Sequence, residues 1–569
     1  MLDVQPGTVT IELLSFIAPG HAIMIFTSLL LVSFAAAPPT PKAIDVMPIT
    51  KLKKSTLVPG LCLLHYRVST SSELCQAFVD QGLGYYYSYV WMEASRSFET
   101  ALQHDPNCAF AHWGLARALE RWGRGNANDQ IKKAWDLREQ ASPREAMLFK
   151  AAMQEKGLLP GVGDGDKRKQ AAINTIDEML AQYDDDEEGW YYRAQLGGGS
   201  GLFGGQAGSV PFYKSLLRIN PLHPGANHEL LHFYENFRRP ALGWTYAENY
   251  IRSSPGLPHA FHMQAHLATR LGRWKMTSDR SARAIELQRE YHQRDGVKPS
   301  EDWQYAHHLE TLLTSLIHDG RFAEGRAIKK ECEAANYNLR EPFVRLHLAE
   351  RDYAAAQDVI DQIARGGKGG RRPTGRAGDK VAAAYYTTLL YLKLNEPKRA
   401  LPYLEVLRES ARANRNDKRL DTRLMETQGL YLCLTGDGPA GLKLLARIVE
   451  RTKDDYGHHA WGNGAYYMET WGIGALAANK LDVAEEAFHE ALAHDPGSVR
   501  AALGMQIVCE RQGRSEEVER YAALARRCWN RADSGHIAME LAALRGQSPA
   551  RPDPTKSGAQ TTNASQQSR

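Results

Sequence analysis

Two segments of the chain, whose closing prolines lie 390 residues apart, carry small and aromatic residues at the same distances before that proline. In both segments these distances are 24, 21, 12, 8 and 5 residues. The residues are Gly82, Tyr85, Ala94, Phe98 and Ala101 before Pro106, and Gly472, Ala475, Ala484, Phe488 and Ala491 before Pro496. Small residues at such intervals let two paired helices approach closely where they cross. The chain is therefore predicted to consist of repeated helical hairpins.

The same intervals resemble the tetratricopeptide-repeat pattern, in which the proline begins the next repeat. Helix-period apolar spacing continues through most of the chain, and strand-like alternation between turn residues is nearly absent. In a repeat protein of this kind, each hairpin buries its apolar stripe against the next hairpin. We therefore predict an all-α fold, a tetratricopeptide-type solenoid of helical hairpins that forms a right-handed superhelix.

A basic, glycine-rich stretch divides the predicted solenoid into two parts. Residues 65–364 form the N-terminal part, with the histidine-rich repeats at its centre, and residues 381–545 form the C-terminal part. The stretch 365–380 between them contains six Lys or Arg residues, which predicts a flexible, solvated loop. Residues 546–569 contain almost no apolar side chains and are predicted to be disordered.

The N-terminal 45 residues contain an apolar run from Ala22 to Ala37, followed by prolines and by the first lysine, Lys42. A run of this length is short for a membrane-spanning helix and is typical of the apolar region of a signal peptide. Residues 1–45 are interpreted as a signal peptide or an N-terminal membrane anchor, plus a linker. Both interpretations place the folded body outside the cytoplasm, as an exported, periplasmic or membrane-anchored protein.

The charge balance argues against a nucleic-acid-binding protein. The chain has 70 basic and 66 acidic residues and a net charge of +4, without the basic stripe that such proteins carry. Its 7 cysteines are scattered and form no CxxC pair, so the sequence does not predict a disulfide-stapled scaffold.

Four histidines form two pairs with the same internal spacing. His228 and His232 are four residues apart, as are His262 and His266, and the second pair follows the first by 34 residues. A spacing of four places both side chains of a pair on one face of a helix. Because 34 residues are one tetratricopeptide repeat, the pairs occupy equivalent positions on successive repeats. With helix axes about 8–10 Å apart, the four imidazoles are predicted to converge on the concave face.

Further candidate metal ligands flank these pairs. His223 and His259 lie just before or at the predicted helix starts, and the next helix carries His307 and Glu310. Imidazole-rich sites suit a divalent transition metal, here zinc, iron or copper, and a nearby carboxylate favours iron or zinc. A polar or peptide-binding groove and histidines that merely fill a core are the alternatives to a metal site.

The segment His228–His232 reads HELLH, which matches the short motif of zinc proteases. In that mechanism Glu229 is the general base beside the metal, and Glu235 is a second candidate acid or base. The equivalent segment of the next repeat reads HMQAH, with Gln264 at the position of Glu229. A glutamate in only one of two equivalent pairs indicates an incidental residue, and the sequence leaves catalysis undecided.

Several stretches of the first half resemble a group of bacterial tetratricopeptide-repeat proteins. They read DPNCAFAHWGLA from Asp105, HPGANHELLH from His223 and PHAFHMQAHLATRLGRW from Pro258. The chain departs from the group's pattern at Gln264–Ala265, where the group has Pro-Ser, and at Glu310, where the group has histidine. The resemblance implies a solenoid with a histidine-rich face and brings no assigned reaction.

Three functional hypotheses follow from these patterns. The first is an exported binding or assembly protein, with a metal-binding histidine cluster and a protein or peptide partner in its concave groove. The second is a metal-dependent enzyme, a hydrolase or an iron or copper oxidoreductase, that uses the same cluster. The third is a metal-free, peptide-binding scaffold.

Overall fold

The computed structural model describes residues 46–197, 207–368, 375–376, 379–453 and 464–547. The described chain begins with a non-helical segment, residues 46–72, that packs against the first two helices. The backbone N–H groups of Ile49 and Thr50 donate to the Glu99 carboxylate over 2.6 and 2.7 Å. These hydrogen bonds attach the segment to the helical body.

The described residues form 25 α-helices. The first sixteen are α1 Glu73–Tyr87, α2 Trp91–His104, α3 Ala109–Trp122, α4 Ala127–Asp136, α5 Pro143–Glu155, α6 Gly165–Gln182, α7 Glu187–Gly197, α8 Val210–Ile219, α9 Pro224–Asn236, α10 Trp244–Ser253, α11 Pro258–Arg270, α12 Trp274–Asp295, α13 Tyr305–His318, α14 Phe322–Ala334, α15 Arg340–Glu350 and α16 Tyr353–Arg365. The later ones are α17 Lys380–Lys393, α18 Pro397–Ala413, α19 Lys418–Thr435, α20 Gly438–Thr452, α21 Tyr466–Ala477, α22 Leu481–His494, α23 Val499–Gln512, α24 Ser515–Cys528 and α25 His536–Leu544. Short 3₁₀ turns lie at Arg138–Gln140, Ala207–Ser209, Pro240–Gly243 and Pro299–Glu301.

Consecutive helices pack against each other as hairpins through most of the described chain. The predicted all-α solenoid of helical hairpins is thereby confirmed. Buried apolar side chains form two large cores, one between Leu61 and Leu257 and the other between Ile285 and Leu544. Of the histidine-bearing helices, α9 contributes to the first core, α13 to the second, and α11 to two smaller apolar clusters.

The repeat signature marks the tightest helix crossings. A Cβ atom added at Gly82 or Gly114 would meet the Phe98 ring at 2.8 or 2.5 Å. In the C-terminal copy, Cβ atoms at Gly472 and Gly504 would meet the Phe488 ring at 2.5 and 2.3 Å. Each phenylalanine is thus enclosed by two glycines, one from its own hairpin and one from the next helix. This confirms the physical reason for the repeated intervals.

The stretch predicted as a flexible basic loop, 365–380, begins inside α16, which ends at Arg365. Two short strands follow, β1 Gly367–Lys368 and β2 Gly375–Arg376, and they pair antiparallel with Gly367 opposite Arg376. Residues 369–374 and 377–378 lie outside the described residues. The same holds for the predicted N-terminal segment 1–45 and for residues 548–569 of the predicted disordered tail. Within the part of the chain that is described, no helix is long and apolar enough to cross a membrane.

Contacts between distant parts of the sequence join the central repeats to the C-terminal ones. Trp274, at the start of α12, donates from Nε1 to both carboxylate oxygens of Asp495 over 3.1 Å. Trp529 Nε1 donates to the His318 carbonyl over 2.6 Å, and Arg531 lies 2.6 Å from the Asp319 carboxylate. The array is therefore held together by more than its nearest-neighbour hairpins.

Candidate metal centre

Three helices with defined starts position the histidines. In α9, His223 caps the helix by accepting the Ala226 N–H at its Nδ1 over 3.1 Å, and proline occupies the first turn. Proline also occupies the first turn of α11. The fixed φ of proline suits the first turn of a helix, where a backbone N–H would have no partner within the helix. These starts place His228 and His232 in α9 and three histidines in α11; α13 contributes His307 and His308.

The first histidine triad consists of His228, His232 and His259. One ring nitrogen from each lies within 4.8 Å of the others. The Nε2 atoms of His228 and His259 are 3.0 Å apart, and all three side chains are buried. Two ligands at Zn–N distances of 2.0–2.1 Å in a tetrahedral shell lie about 3.3 Å apart. The His228–His259 separation is therefore close to that of two ligands of one metal ion, and His232 lies near enough to be the third.

Hydrogen bonds to the outer nitrogens orient this triad. His228 Nδ1 lies 2.6 Å from the Tyr87 carbonyl, which can only accept, so Nδ1 carries the proton and Nε2 presents its lone pair. His232 Nδ1 lies 3.4 Å from a Glu235 oxygen, which orients its ring. The Gln304 amide Nε2 donates to His259 Nδ1 over 3.3 Å, so the proton of neutral His259 lies on Nε2, which donates to His228 Nε2. His259 has to change tautomer before its Nε2 can bind a metal.

The second histidine triad consists of His262, His266 and His307, again with one ring nitrogen from each within 4.8 Å of the others. The Nε2 atoms of His266 and His307 are 3.2 Å apart. His266 Nδ1 donates to Glu235 Oε1 over 2.9 Å, which leaves its Nε2 as the ligand atom. His308 stacks on His262 with ring centroids 3.9 Å apart and bonds through Nδ1 to Gln288, so it supports the triad from outside.

The buried imidazoles are held in their neutral form. Burial, and then the neighbouring histidines, lower the pKa values of His228, His259 and His262 well below the usual value of 6.5. Burial also lowers the pKa of His266, although Glu235 opposes this effect. Neutral imidazole is the form that binds metal ions.

Glu235 connects the two triads. Its carboxylate contacts His232 of the first triad and His266 of the second, and Arg270 lies 2.6 Å from Oε1. Burial by itself raises the pKa of Glu235, but His266 and Arg270 hold it well below its usual value. Glu235 is therefore an ionised carboxylate that orients one ligand of each triad rather than a poised acid or base.

Glu229, the other candidate catalytic residue, has different neighbours. Its Oε1 accepts from the hydroxyl of Tyr89 over 2.9 Å and from that of Tyr191 over 3.3 Å. Burial raises its pKa. Among the described residues, these two tyrosines are the hydrogen-bond partners of the carboxylate. A zinc protease needs this glutamate beside the metal as a general base. Here its carboxylate is instead hydrogen-bonded to two tyrosine hydroxyls.

The structure redistributes the predicted ligands. The four imidazoles predicted to converge are instead divided between two triads, and each pair takes its third member from the next histidine-bearing helix, two helices further along the chain. His259 and His307 are these third members. His223 lies outside both triads, as a helix cap with Nε2 3.9 Å from Glu187, and Glu310 lines a separate cavity.

Tyr89 is a site residue that the sequence did not reveal. It lies in the turn between α1 and α2 with φ of 60°, a left-handed conformation that is unfavourable for a bulky side chain. Its ring centroid is 4.5 Å from that of His228 and 5.8 Å from that of His232. The only signal was the aromatic run Tyr85–Tyr89, which gives no indication of the backbone conformation.

A third group of metal-ligand types, His347, Glu350 and Asp352, is explained without an ion. Glu350 contacts His347 over 2.7 Å and pairs with Arg326, and exposed Asp352 caps α16 by accepting the Ala355 N–H. Each carboxylate thus has an ordinary structural partner.

No protein-family model matches the sequence, and no curated protein matches it. Among solved structures, a tetratricopeptide repeat protein from Parabacteroides merdae ATCC 43184 is 11% identical, with TM-score 0.30, over 50% of this chain and 98% of that one. The TPR domain of P58(IPK) is 12% identical, with TM-score 0.17, over 71% and 98%. The human IFIT1 dimer with m7Gppp-AAAA is 12% identical, with TM-score 0.27, over 80% and 90%. The pairing of consecutive helices in the described residues is that of a repeat protein built from helical hairpins.

Proposed function

We propose that this protein is an exported, tetratricopeptide-type binding and assembly protein whose interior holds a divalent transition metal at each histidine triad. One observation carries the metal proposal: His228 and His259 bring their Nε2 atoms to 3.0 Å inside a buried triad, with the lone pair of His228 fixed by the Tyr87 carbonyl. The same arrangement recurs at His266 and His307, over 3.2 Å.

The ligand types of the two triads limit which metal ions they would bind. Both triads offer imidazole nitrogens, and Glu235 supports them through the outer nitrogens without being a member of either triad. Three imidazoles suit zinc, copper or iron(II), whereas magnesium and calcium prefer oxygen ligands. Zinc and copper fit an all-nitrogen set most directly.

The binding and assembly part of the proposal rests on the fold alone. Solenoids of helical hairpins present extended concave surfaces, and these commonly accommodate a protein or peptide. Export rests on the apolar run 22–37 and is tested by fractionating cells that express the full chain.

Elemental analysis of the purified, untagged protein tests the metal proposal. We expect one metal ion per triad, with His259→Ala losing the ion of the first triad and His307→Ala losing that of the second. His489→Ala is the matched control, because this imidazole is 53% exposed and lies far along the chain on α22. Circular dichroism confirms that each variant is folded.

A folded wild-type protein that takes up neither zinc, copper nor iron(II) on titration contradicts the metal proposal. That result leaves the metal-free, peptide-binding scaffold. Equal metal content in wild type and in His259→Ala would show that the metal binds outside the first triad, which also contradicts the proposal.

A metal-dependent enzyme is the second candidate function, and one observation favours it. Each triad offers three protein ligands, and catalytic zinc sites keep a fourth position for water or substrate. Ester hydrolysis and oxygen uptake by the metal-loaded protein, measured beside His259→Ala and His307→Ala, distinguish this candidate from a structural metal site. If the wild type and both variants have the same activity, the metal-dependent enzyme is rejected.

A further inference from the structure

A cavity of about 570 Å³ lies in the second half of the molecule, apart from the histidine triads. Side chains from α13, α15, α17, α19, α21 and α23 line it, and the exposed residues Lys418 and Arg419 stand at its rim. Cavities of this size accommodate small organic ligands.

The lining of this cavity carries an excess of positive charge. Six lining residues are cationic and three are anionic; they are Arg345, Lys393, Lys418, Arg419, Arg423 and Arg500, and Glu310, Glu341 and Glu469. A concave surface lined by one sign of charge concentrates ligands of the opposite sign.

Several of these cations already have carboxylate partners. Glu341 Oε1 lies 2.5 Å from Arg419 and 3.0 Å from Arg423. Arg500 lies 2.8 Å from Glu540 and 3.6 Å from Glu469. Two of the three acidic groups of the lining, Glu341 and Glu469, are therefore paired with arginines.

Lys393 is the exception. It is half-buried in the cavity wall at the end of α17, and among the described residues no group lies within hydrogen-bonding or ion-pair distance of its ammonium. Burial and then Arg500 lower its pKa to about 8. The charged groups that act on it from neighbouring helices are Arg351, Arg500, Glu426 and Glu540. A cation placed in this way gains most from an anion that enters the cavity.

An aromatic and apolar wall stands beside this cation. Tyr386, Tyr467 and Trp529 line the cavity, together with Leu348, Leu389 and Val499. Such a surface favours a ligand with an apolar or aromatic body, because the charged group alone would leave the wall uncovered.

We propose that this cavity binds a small organic carboxylate, with the carboxylate contacting Lys393 and an apolar or aromatic body packing against Tyr386 and Tyr467. The carboxylate belongs either to a free acid or to the C-terminus of a short peptide, since both present the same chemistry. None of the six histidines of the two triads lines this cavity.

Calorimetric titration of the full-length protein tests this site with phenylacetate and its neutral isostere phenylacetamide. We expect phenylacetate to bind and phenylacetamide not to bind, and Lys393→Met to weaken phenylacetate binding about tenfold or more. Lys443→Met is the matched control, because Lys443 is an exposed lysine on α20, and it should bind as the wild type does. A tripeptide ending in phenylalanine and its C-terminal amide distinguish the peptide from the free acid.

Equal binding of phenylacetate and phenylacetamide, or unchanged affinity in Lys393→Met, overturns the proposal. Binding of phenyl phosphate in the absence of any carboxylate binding overturns the choice of carboxylate. Lys393→Met removes a charge without a contacting partner, so we expect it to fold. Tyr467→Ala, which removes part of the aromatic wall, is the second variant and should also weaken phenylacetate binding.

Discussion

At the scale of single residues, two glutamates on the same helix have opposite environments. Glu229 accepts from two tyrosine hydroxyls, and burial raises its pKa. Glu235, six residues later, contacts His232, His266 and Arg270, and its pKa lies well below the usual value. The neighbours of each carboxylate decide its role, and the place of Glu229 in the HELLH motif does not.

Replacing each glutamate with glutamine separates these roles. We expect Glu235→Gln to weaken metal binding by about tenfold to a hundredfold, because it removes the negative charge that orients His232 and His266. It should also lower the free energy of unfolding by about 3 kcal/mol, since Arg270 loses its buried partner. Competition titration with a chelator measures the metal affinity, and chemical denaturation measures the stability.

The matched control is Glu229→Gln, which keeps the shape of a buried side chain in the same helix. We expect its metal affinity to equal that of the wild type. A large loss in Glu229→Gln with none in Glu235→Gln would reverse the two assignments and restore the protease hypothesis.

The sequence predicted the histidine pairs but not the triads. Spacing alone places His228 with His232, and His262 with His266, on helix faces. Side chains at equivalent positions of neighbouring repeats are separated by the full distance between their helices. A side chain lies closer to a residue one turn away from the equivalent position when the two point toward each other. His228 therefore meets His259, 31 residues later, and not His262. Such offsets depend on how each helix is rotated, which the spacing does not determine.

At the scale of helices, the glycine–phenylalanine crossings decide how closely hairpins approach. Phe98 is enclosed by Gly82 and Gly114, and the C-terminal copy repeats the arrangement around Phe488. This part of the fold was predictable, because the crossing requires small residues at fixed positions. The Tyr89 turn was not, since a tyrosine with positive φ contradicts the local preference of its sequence.

Substitution of Gly114 tests the closeness of this crossing. A Cβ atom there would lie 2.5 Å from the Phe98 ring, so we expect Gly114→Ala to lower the free energy of unfolding by about 1–3 kcal/mol. Gly165→Ala is the control, because a Cβ atom at Gly165 meets nothing within 4 Å. It should be neutral or stabilising by up to about 1 kcal/mol. Equal effects in thermal or urea denaturation would contradict the crossing as the cause.

At the scale of the whole molecule, the long-range contacts of Trp274, Trp529 and Arg531 join the central repeats to the C-terminal ones. The repeat pattern predicts contacts between neighbouring hairpins only, so it does not predict these. They depend on the accumulated curvature of many hairpins, to which each repeat contributes a small rotation.

Asp495 makes this junction sensitive to pH. Burial, and then Glu469, raise its pKa to about 7 from 3.8. Because the folded state holds this proton more tightly than the unfolded state, stability falls as pH rises from about 4 to about 7. The shift corresponds to a loss of about 4 kcal/mol.

Urea denaturation of wild type and Asp495→Asn across this pH range measures the effect. The substituted amide keeps an oxygen acceptor for Trp274 but does not ionise, so we expect the variant to gain stability relative to wild type as pH rises. A stability difference that is constant from pH 4 to pH 8 would show that Asp495 is charged throughout.

The hydrogen bond from Trp274 to Asp495 spans 221 positions of the chain, and this has a consequence for the way the molecule melts. An array held only by adjacent hairpins can fray from its ends, one repeat after another. Here the penultimate repeats are fastened to the central ones, so their loss also exposes the surface around α12 and α13. The terminal and central repeats should therefore unfold in one cooperative step, with amide protons in both exchanging at similar rates.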